Sequence, residues 1–259
     1  MSKFSKLIKA LAAIIKRPYL LNLILDDSEY HKKFIPANYQ NGLPKIDLND
    51  WLANENELAL YSFSDGGSLI TDLLVLKAAV KQFNHPNYFE IGTWRGESIV
   101  NVADFCTNAF TLNLADEDLK KLGVEDEMIK QQAIFSKNHP KITHLKGDSM
   151  TFDFSPYYGK MDVVFVDGDH HYESVKKDTE TAFKLIKDEK SIIVWHDYSL
   201  NTKTIRFEVL RGILEGTPIH LKAHLYHIHQ TLCAVYCNRK FKQMPNTSLN
   251  TFSVALNKI

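Results

Sequence analysis

The sequence predicts an α/β fold: a mostly parallel sheet with helices on both faces, closing in an antiparallel hairpin. Three observations predict it. Five short apolar runs, Tyr88–Ile91, Phe110–Leu114, Ile142–Leu145, Val163–Val166 and Ile192–Trp195, have the length and composition of strands buried on both faces. Most of them are separated by segments whose apolar residues recur at helical spacing. Two further runs, Leu225–Ile228 and Leu232–Tyr236, lie too close together for a parallel crossover, which needs about a dozen residues, so they pair antiparallel. The total is seven strands.

Taken in order, residues 1–65 read as a helical and irregular extension, broken by Pro18, Pro36, Gly42 and Pro44. The main domain is expected over 66–240. It opens with Ser68 as a helix cap, Asp72 in the first turn, and an apolar face at Leu69, Leu73, Leu76, Val80 and Phe83 that stops before His85-Pro86. The first strand follows, then a helix marked by Ile99, Val102, Ala103 and Cys106, then the second strand. The charged stretch 115–139 is expected to be mostly helical, and a short helical or loop crossover joins the third and fourth strands. Val175, Thr179, Ala182, Phe183 and Ile186 mark the next helix, and 206–214 the last one before the hairpin. Residues 241–259 are left as a tail.

Composition limits the function. With Lys plus Arg equal to Asp plus Glu at 31 each, no broad basic surface for nucleic acid is expected. Cys106, Cys233 and Cys237 fit neither a disulfide scaffold nor a zinc cluster. They are expected as buried free thiols in a reducing, cytoplasmic setting. No run reaches the ~18 apolar residues that span a bilayer. Near the N-terminus, Phe4, Leu7, Ile8, Leu11 and Ile15 form an apolar stripe beside Lys3, Lys6, Lys9, Lys16 and Arg17. Such a helix either packs on the domain or on a partner subunit, or lies on a membrane surface. Homo-oligomerisation is left open.

In open α/β sheets, ligands bind beyond the carboxyl ends of the strands. There the first strand supplies Glu90-Ile91-Gly92-Thr93-Trp94-Arg95-Gly96. Trp94 occupies the middle glycine position of a dinucleotide fingerprint, and Glu90 would repel a diphosphate but accept from an ammonium. A phosphate-free nucleoside fits this turn better than a dinucleotide. The second strand ends near Asn113, with Asp116, Glu117 and Asp118 close behind, so a ribose contact falls to one of these. Asp148, in Gly147-Asp148-Ser149, accepts from an adenine amino group or caps a turn. The fourth strand runs into Asp167-Gly168-Asp169-His170 and the fifth into His196-Asp197-Tyr198. Asp167, His196 and Asp197 are expected to converge at one sheet edge, as carboxylates and an imidazole that suit a divalent cation. His170 is a general-base candidate.

At these residues the chain resembles the class I S-adenosylmethionine-dependent methyltransferases, and more narrowly the small-molecule and sugar O-methyltransferase-like group. The resemblance runs from about Leu69 to Tyr236 and rests on Glu90 to Gly96, Asp148-Ser149, Asp167 to His170 and His196 to Tyr198 in this order. It implies a Rossmann-like seven-stranded sheet and methyl transfer from S-adenosyl-L-methionine to a hydroxyl of a sugar, glycan precursor or other small molecule. It implies a donor site of Glu90, Gly92, Thr93, Gly96, Asn113, Asp148, Ser149 and Asp167. Asp167, His196 and Asp197 would hold Mg2+ or another divalent cation, and His170 and Asp167 would act in catalysis. Two departures stand out: Asn113 where relatives often carry an acid, and His196 where another acid is common. They keep a non-catalytic binding domain as the second reading, with a nicotinamide-dependent oxidoreductase behind it.

Overall fold

A computed structural model of the chain describes residues 2–16, 28–64, 66–241 and 255. The expected break at Pro18 and the expected tail, apart from Phe241 and Ala255, lie outside the described residues. The elements are α1 (Lys3–Lys16), α2 (Ser28–Lys32), β1 (Lys45–Ile46), α3 (Leu48–Leu52), α4 (Ile70–Val80), β2 (Asn87–Ile91), α5 (Glu97–Ala103), β3 (Asn108–Asn113), α6 (Asp116–Lys121), α7 (Asp126–Ile129) and β4 (Ile142–Lys146). They continue with β5 (Val163–Val166), α8 (Tyr172–Leu185), β6 (Ile192–Trp195), β7 (Ser199–Asn201), β8 (Thr204–Ile205), α9 (Phe207–Gly216), β9 (Leu225–Ile228) and β10 (Ala234–Tyr236).

The seven expected strands form one Rossmann-like sheet, and the N-terminal extension adds an eighth, in the order β1-β9-β10-β6-β5-β2-β3-β4. β6, β5, β2, β3 and β4 run parallel, and β10 is antiparallel to both β6 and β9. β1 pairs parallel to β9, with Lys45 opposite His227 and Ile46 opposite Ile228. A two-residue strand is too short to show a period, so composition could not reveal it. It covers the edge that the hairpin would otherwise expose.

The central strands are buried on both faces because successive side chains point to opposite sides. Tyr88, Val163, Phe165, Ile192 and Val194 join the core under α3, α4 and α5. Phe89, Val164, Val166, Ile193 and Trp195 join the core under α8 and α9. The three cysteines are free and buried.

Three local features depart from the sequence reading. Leu69, not Ser68, caps α4, and the Asp72 carboxylate accepts from the Leu69 N–H at 2.9 Å. Every residue from Asp72 to Val80 is buried, since α3 and α5 pack on α4 in addition to the sheet. Buried Lys77 is neutralised there by Glu55 at 3.1 Å. The stretch 115–139 contains only the short α6 and α7. Gly123, at φ +82°, ends α6, and the Val124 N–H turns back to Leu119 O at 3.0 Å.

The irregular residues 59–64 follow a set route. Asn101 of α5 accepts from the Ala59 and Leu60 N–H groups at 2.7 and 3.2 Å. Glu97 accepts from the Ser62 N–H at 3.2 Å, and Arg95 donates to Ser64 O at 3.3 Å. This anchoring carries the extension along α5 to the carboxyl edge of the sheet.

Candidate active site

Register brings the site together. Ile91 pairs with Val166, and Val166 with Trp195, across three adjacent parallel strands. The residues that follow, Gly92, Asp167 and His196, therefore leave the sheet side by side. Asp167 N–H donates to Ile91 O at 2.8 Å, and His196 N–H to Val166 O at 3.0 Å. Asp197 leaves the strand at φ +54°, a left-handed conformation that aspartate tolerates better than most residues.

His196 is the hub. Its Nδ1 lies 3.1 Å from Asp167 Oδ1 and 3.6 Å from Asp197 Oδ2. Its Nε2 lies 3.1 Å from Asp72 Oδ2. Burial by itself would lower the imidazole pKa, but the carboxylates of Asp167, Asp197 and Asp72 outweigh it and hold the pKa well above the usual histidine range. Burial pushes the Asp167 carboxyl up, with Asp197 adding to the effect. Burial acts the same way on Asp197, yet His196, His170 and Arg206 hold it well below the usual carboxylate range. His170 is half-exposed, with Nδ1 3.2 Å from Asp197 Oδ2. Asp169 is occupied by the Ser174 hydroxyl at 2.8 Å and His171 Nδ1 at 2.6 Å.

By sequence Asp72 is only a first-turn acid. It is fully buried and also accepts from the Leu232 N–H at 2.8 Å. It thus fixes the His196 ring from behind and leaves Nδ1 facing Asp167 and Asp197. One signal was present: Asp72 lies in the same i, i+4 row as Leu76 and Val80, a costly position for an unpartnered acid.

A cleft of about 320 Å³, open to solvent, runs along this edge. Its wall includes Gly66, Gly67 and Ser68 ahead of α4, the Thr93–Ser98 turn, Asp167, Gly168, His170, His196 and Asp197. Of the residues expected at the site, Thr93, Gly96, Asp167, His170, His196 and Asp197 border it. The Gly66–Ser68 wall went unrecognised, because those residues read as a helix start.

Glu90, Gly92, Asn113, Asp148 and Ser149 lie off this wall. Gly92 is at φ +100°, and a Cβ there would sit 1.9 Å from Asp167 O. Its bareness makes room for the next strand's backbone. Gly96, at φ +84°, is crowded by Ser136 Oγ, 2.1 Å from where a Cβ would stand. Asn113 Nδ2 donates to Gln132 Oε1 at 2.6 Å. Asp148 is exposed and accepts from the Met150 N–H at 2.9 Å, closing a turn.

Glu90 points to the α4–α5 side and is fully buried. It accepts from Tyr88 Oη at 2.8 Å and Thr111 Oγ1 at 3.0 Å. Thr111 in turn lies 2.6 Å from Thr93 Oγ1 on the cleft wall. Burial drives the Glu90 pKa up to about 8. A raised carboxyl pKa means that its contribution to stability is complete below its ordinary value of 4.5 and is lost as pH rises through about 8. Glu90→Gln mimics the protonated form. It is expected to flatten the decline of the thermal midpoint across that window, as measured by calorimetry at a series of pH values. An unchanged slope in the variant would overturn this account of Glu90.

Residues 89–198 match the family model described as a methyltransferase domain. The matched segment runs from β2 past β6 and so contains Asp167, His170, His196 and Asp197. No curated protein matches the chain. Among solved structures, the chain is similar to the O-methyltransferase from Bacillus cereus in complex with SAH, at 14% identity and TM-score 0.44, over 74% of this chain and 100% of that one. It is similar to the N-methyltransferase NodS from Bradyrhizobium japonicum WM9, at 15% identity and TM-score 0.42, over 64% and 90%. It is also similar to the S-adenosylmethionine dependent methyltransferase from Mesorhizobium loti, at 15% identity and TM-score 0.38, over 53% and 57%. The chain spans about half the length (48–57%) of that structure and of four others it matches.

Proposed function

We propose that this chain transfers the methyl group of S-adenosyl-L-methionine to a hydroxyl of a small acceptor such as a sugar. The observation that carries the reading is the cleft itself: within the segment that matches a methyltransferase domain, it joins the Thr93–Ser98 turn to a carboxylate-histidine cluster at adjacent strand ends. Its volume is in the ~300–1,000 Å³ range of small-molecule sites. The Trp94 Nε1–H is buried in this wall without a hydrogen-bond partner among the described residues, so a ligand acceptor would satisfy it. The donor, when bound, supplies an electrophilic methyl on a sulfonium. An acceptor oxygen takes the methyl carbon, and the C–S electron pair leaves with sulfur to give a methyl ether and S-adenosylhomocysteine.

The chain's own groups meet the remaining needs. With Nδ1–H donating to Asp197, His170 presents Nε2 as an acceptor for the hydroxyl proton. Asp167, His196 and Asp197 offer ligand atoms that all lie within 4.8 Å of one another. This donor set fits a divalent cation, because two carboxylates and one imidazole present their ligand atoms to a common point. Such a cation would acidify and orient the acceptor hydroxyl. Ligation would replace the proton on His196 Nδ1, while Asp72 keeps the ring in place.

The test is calorimetry with S-adenosylhomocysteine, with a reduced nicotinamide cofactor as the control. S-adenosylhomocysteine is expected to bind at micromolar concentration and the nicotinamide not at all. Folded protein that binds only the nicotinamide, or neither, would overturn the proposal.

A further inference from the structure

We infer that α1 docks this protein on an anionic lipid surface, lying in the plane of the interface. The helix has 14 residues, KFSKLIKALAAIIK, with four lysines and no acid. At 3.6 residues per turn, Phe4, Leu7, Ile8, Leu11, Ile14 and Ile15 fall within an arc of roughly 120°. Lys6, Lys9 and Lys16 stand on the opposite side, and Lys3 flanks the arc. None of its residues is buried. Phe4 and Ile15, at the two ends of the stripe, are 71% and 79% exposed. Among the described residues nothing buries this stripe, and an exposed apolar face of this width marks a contact surface.

The chemistry of the two faces selects the occupant. A second α1 carries four lysines and no acid of its own, so it offers nothing to complement the charge of this helix, whereas an anionic surface does. A bilayer surface accepts both faces at once. Aliphatic and phenyl side chains enter the acyl boundary, and lysine stems extend along it to reach anionic headgroups. The helix is about 21 Å long. Among the described residues no helix is long and apolar enough to cross a membrane, so the contact is peripheral. This inference does not depend on the chemistry of the cleft.

The experiment is co-sedimentation of the full chain with vesicles of phosphatidylcholine alone or mixed with phosphatidylglycerol, at low and high salt. Binding is expected on the mixed vesicles, at least tenfold weaker on phosphatidylcholine alone, and weakened by salt. Lys6→Ala and Lys9→Ala are each expected to reduce it about fivefold. Leu7→Glu combined with Leu11→Glu is expected to abolish it while leaving S-adenosylhomocysteine binding unchanged. Because both leucines are exposed, the double variant folds normally. Failure to bind mixed vesicles at low salt overturns the inference, as does undiminished binding by the double variant. So does a dimer in sedimentation velocity that the double variant dissolves while the parent chain ignores vesicles, because that result assigns the stripe to a second copy.

Discussion

Asp197→Asn is expected to lower methyl transfer by about a hundredfold at fixed metal concentration, with partial recovery as metal is added. Asp197 sits where three groups meet: His196 Nδ1 at 3.6 Å, His170 Nδ1 at 3.2 Å and Arg206 Nη1 at 3.8 Å. The amide keeps the size of the carboxylate but removes its charge, so it weakens a cation site and frees the His170 ring together. Affinity for S-adenosylhomocysteine is expected to stay within a few-fold, because the Thr93–Ser98 turn is untouched. The competing account is a closed ion-pair cluster in which protonated His196 serves only to hold the loop. On that account the variant loses stability, but its activity does not respond to metal. His196→Asp separates the two further, since an oxygen ligand there preserves activity and shifts preference toward magnesium or manganese. The measurement is transfer to an identified acceptor after chelation and metal titration. Full activity of the parent enzyme in excess chelator would remove the cation from the mechanism and leave His170 as a simple base.

Gly92→Ala is expected to cost more than about 4 kcal/mol of stability and lower the thermal midpoint by about 10 °C. The added Cβ would stand 1.9 Å from Asp167 O and 2.5 Å from its carbonyl carbon. Neither side can yield. Gly92 N–H is bonded to Leu112 O at 2.8 Å, and Asp167 N–H to Ile91 O at 2.8 Å. Relief would therefore have to separate β2 from β5 at the centre of the sheet. A positive φ of +100° adds strain of its own. Gly123→Ala is the control. Gly123 has φ +82° but nothing within 4 Å of a new Cβ, so only the backbone term of about 1–2 kcal/mol remains. Denaturant unfolding of both variants decides the matter. Equal losses at the two positions would show that the contact with Asp167 contributes nothing.

Much of the fold was legible because its signals are local. Strands buried on two faces must be apolar throughout, and Val163–Val166 and Ile192–Trp195 are. The short gap between Leu225–Ile228 and Leu232–Tyr236 ruled out a crossover, and the structure pairs β9 and β10 antiparallel. Convergence of Asp167, His196 and Asp197 was legible for a topological reason, since residues that follow adjacent parallel strands in register emerge side by side. The depth of Glu90 was less so. The sequence marks it as a carboxylate near a strand end, and only the packing of α4 and α5 over that face of β2 removes it from water.

The sequence by itself determined the order and kind of the main elements, the hairpin and the meeting of three side chains at one sheet edge, because periodicity and strand direction are carried by neighbours in the chain. Tertiary structure alone decided the rest. Asp72 reaches His196 across 124 residues, β1 finds β9 across about 180, and Gly92 makes room for a carbonyl from another strand. Such partners are chosen by which surfaces the folded chain presses together. No local pattern encodes a distance that exists only after the sheet has formed.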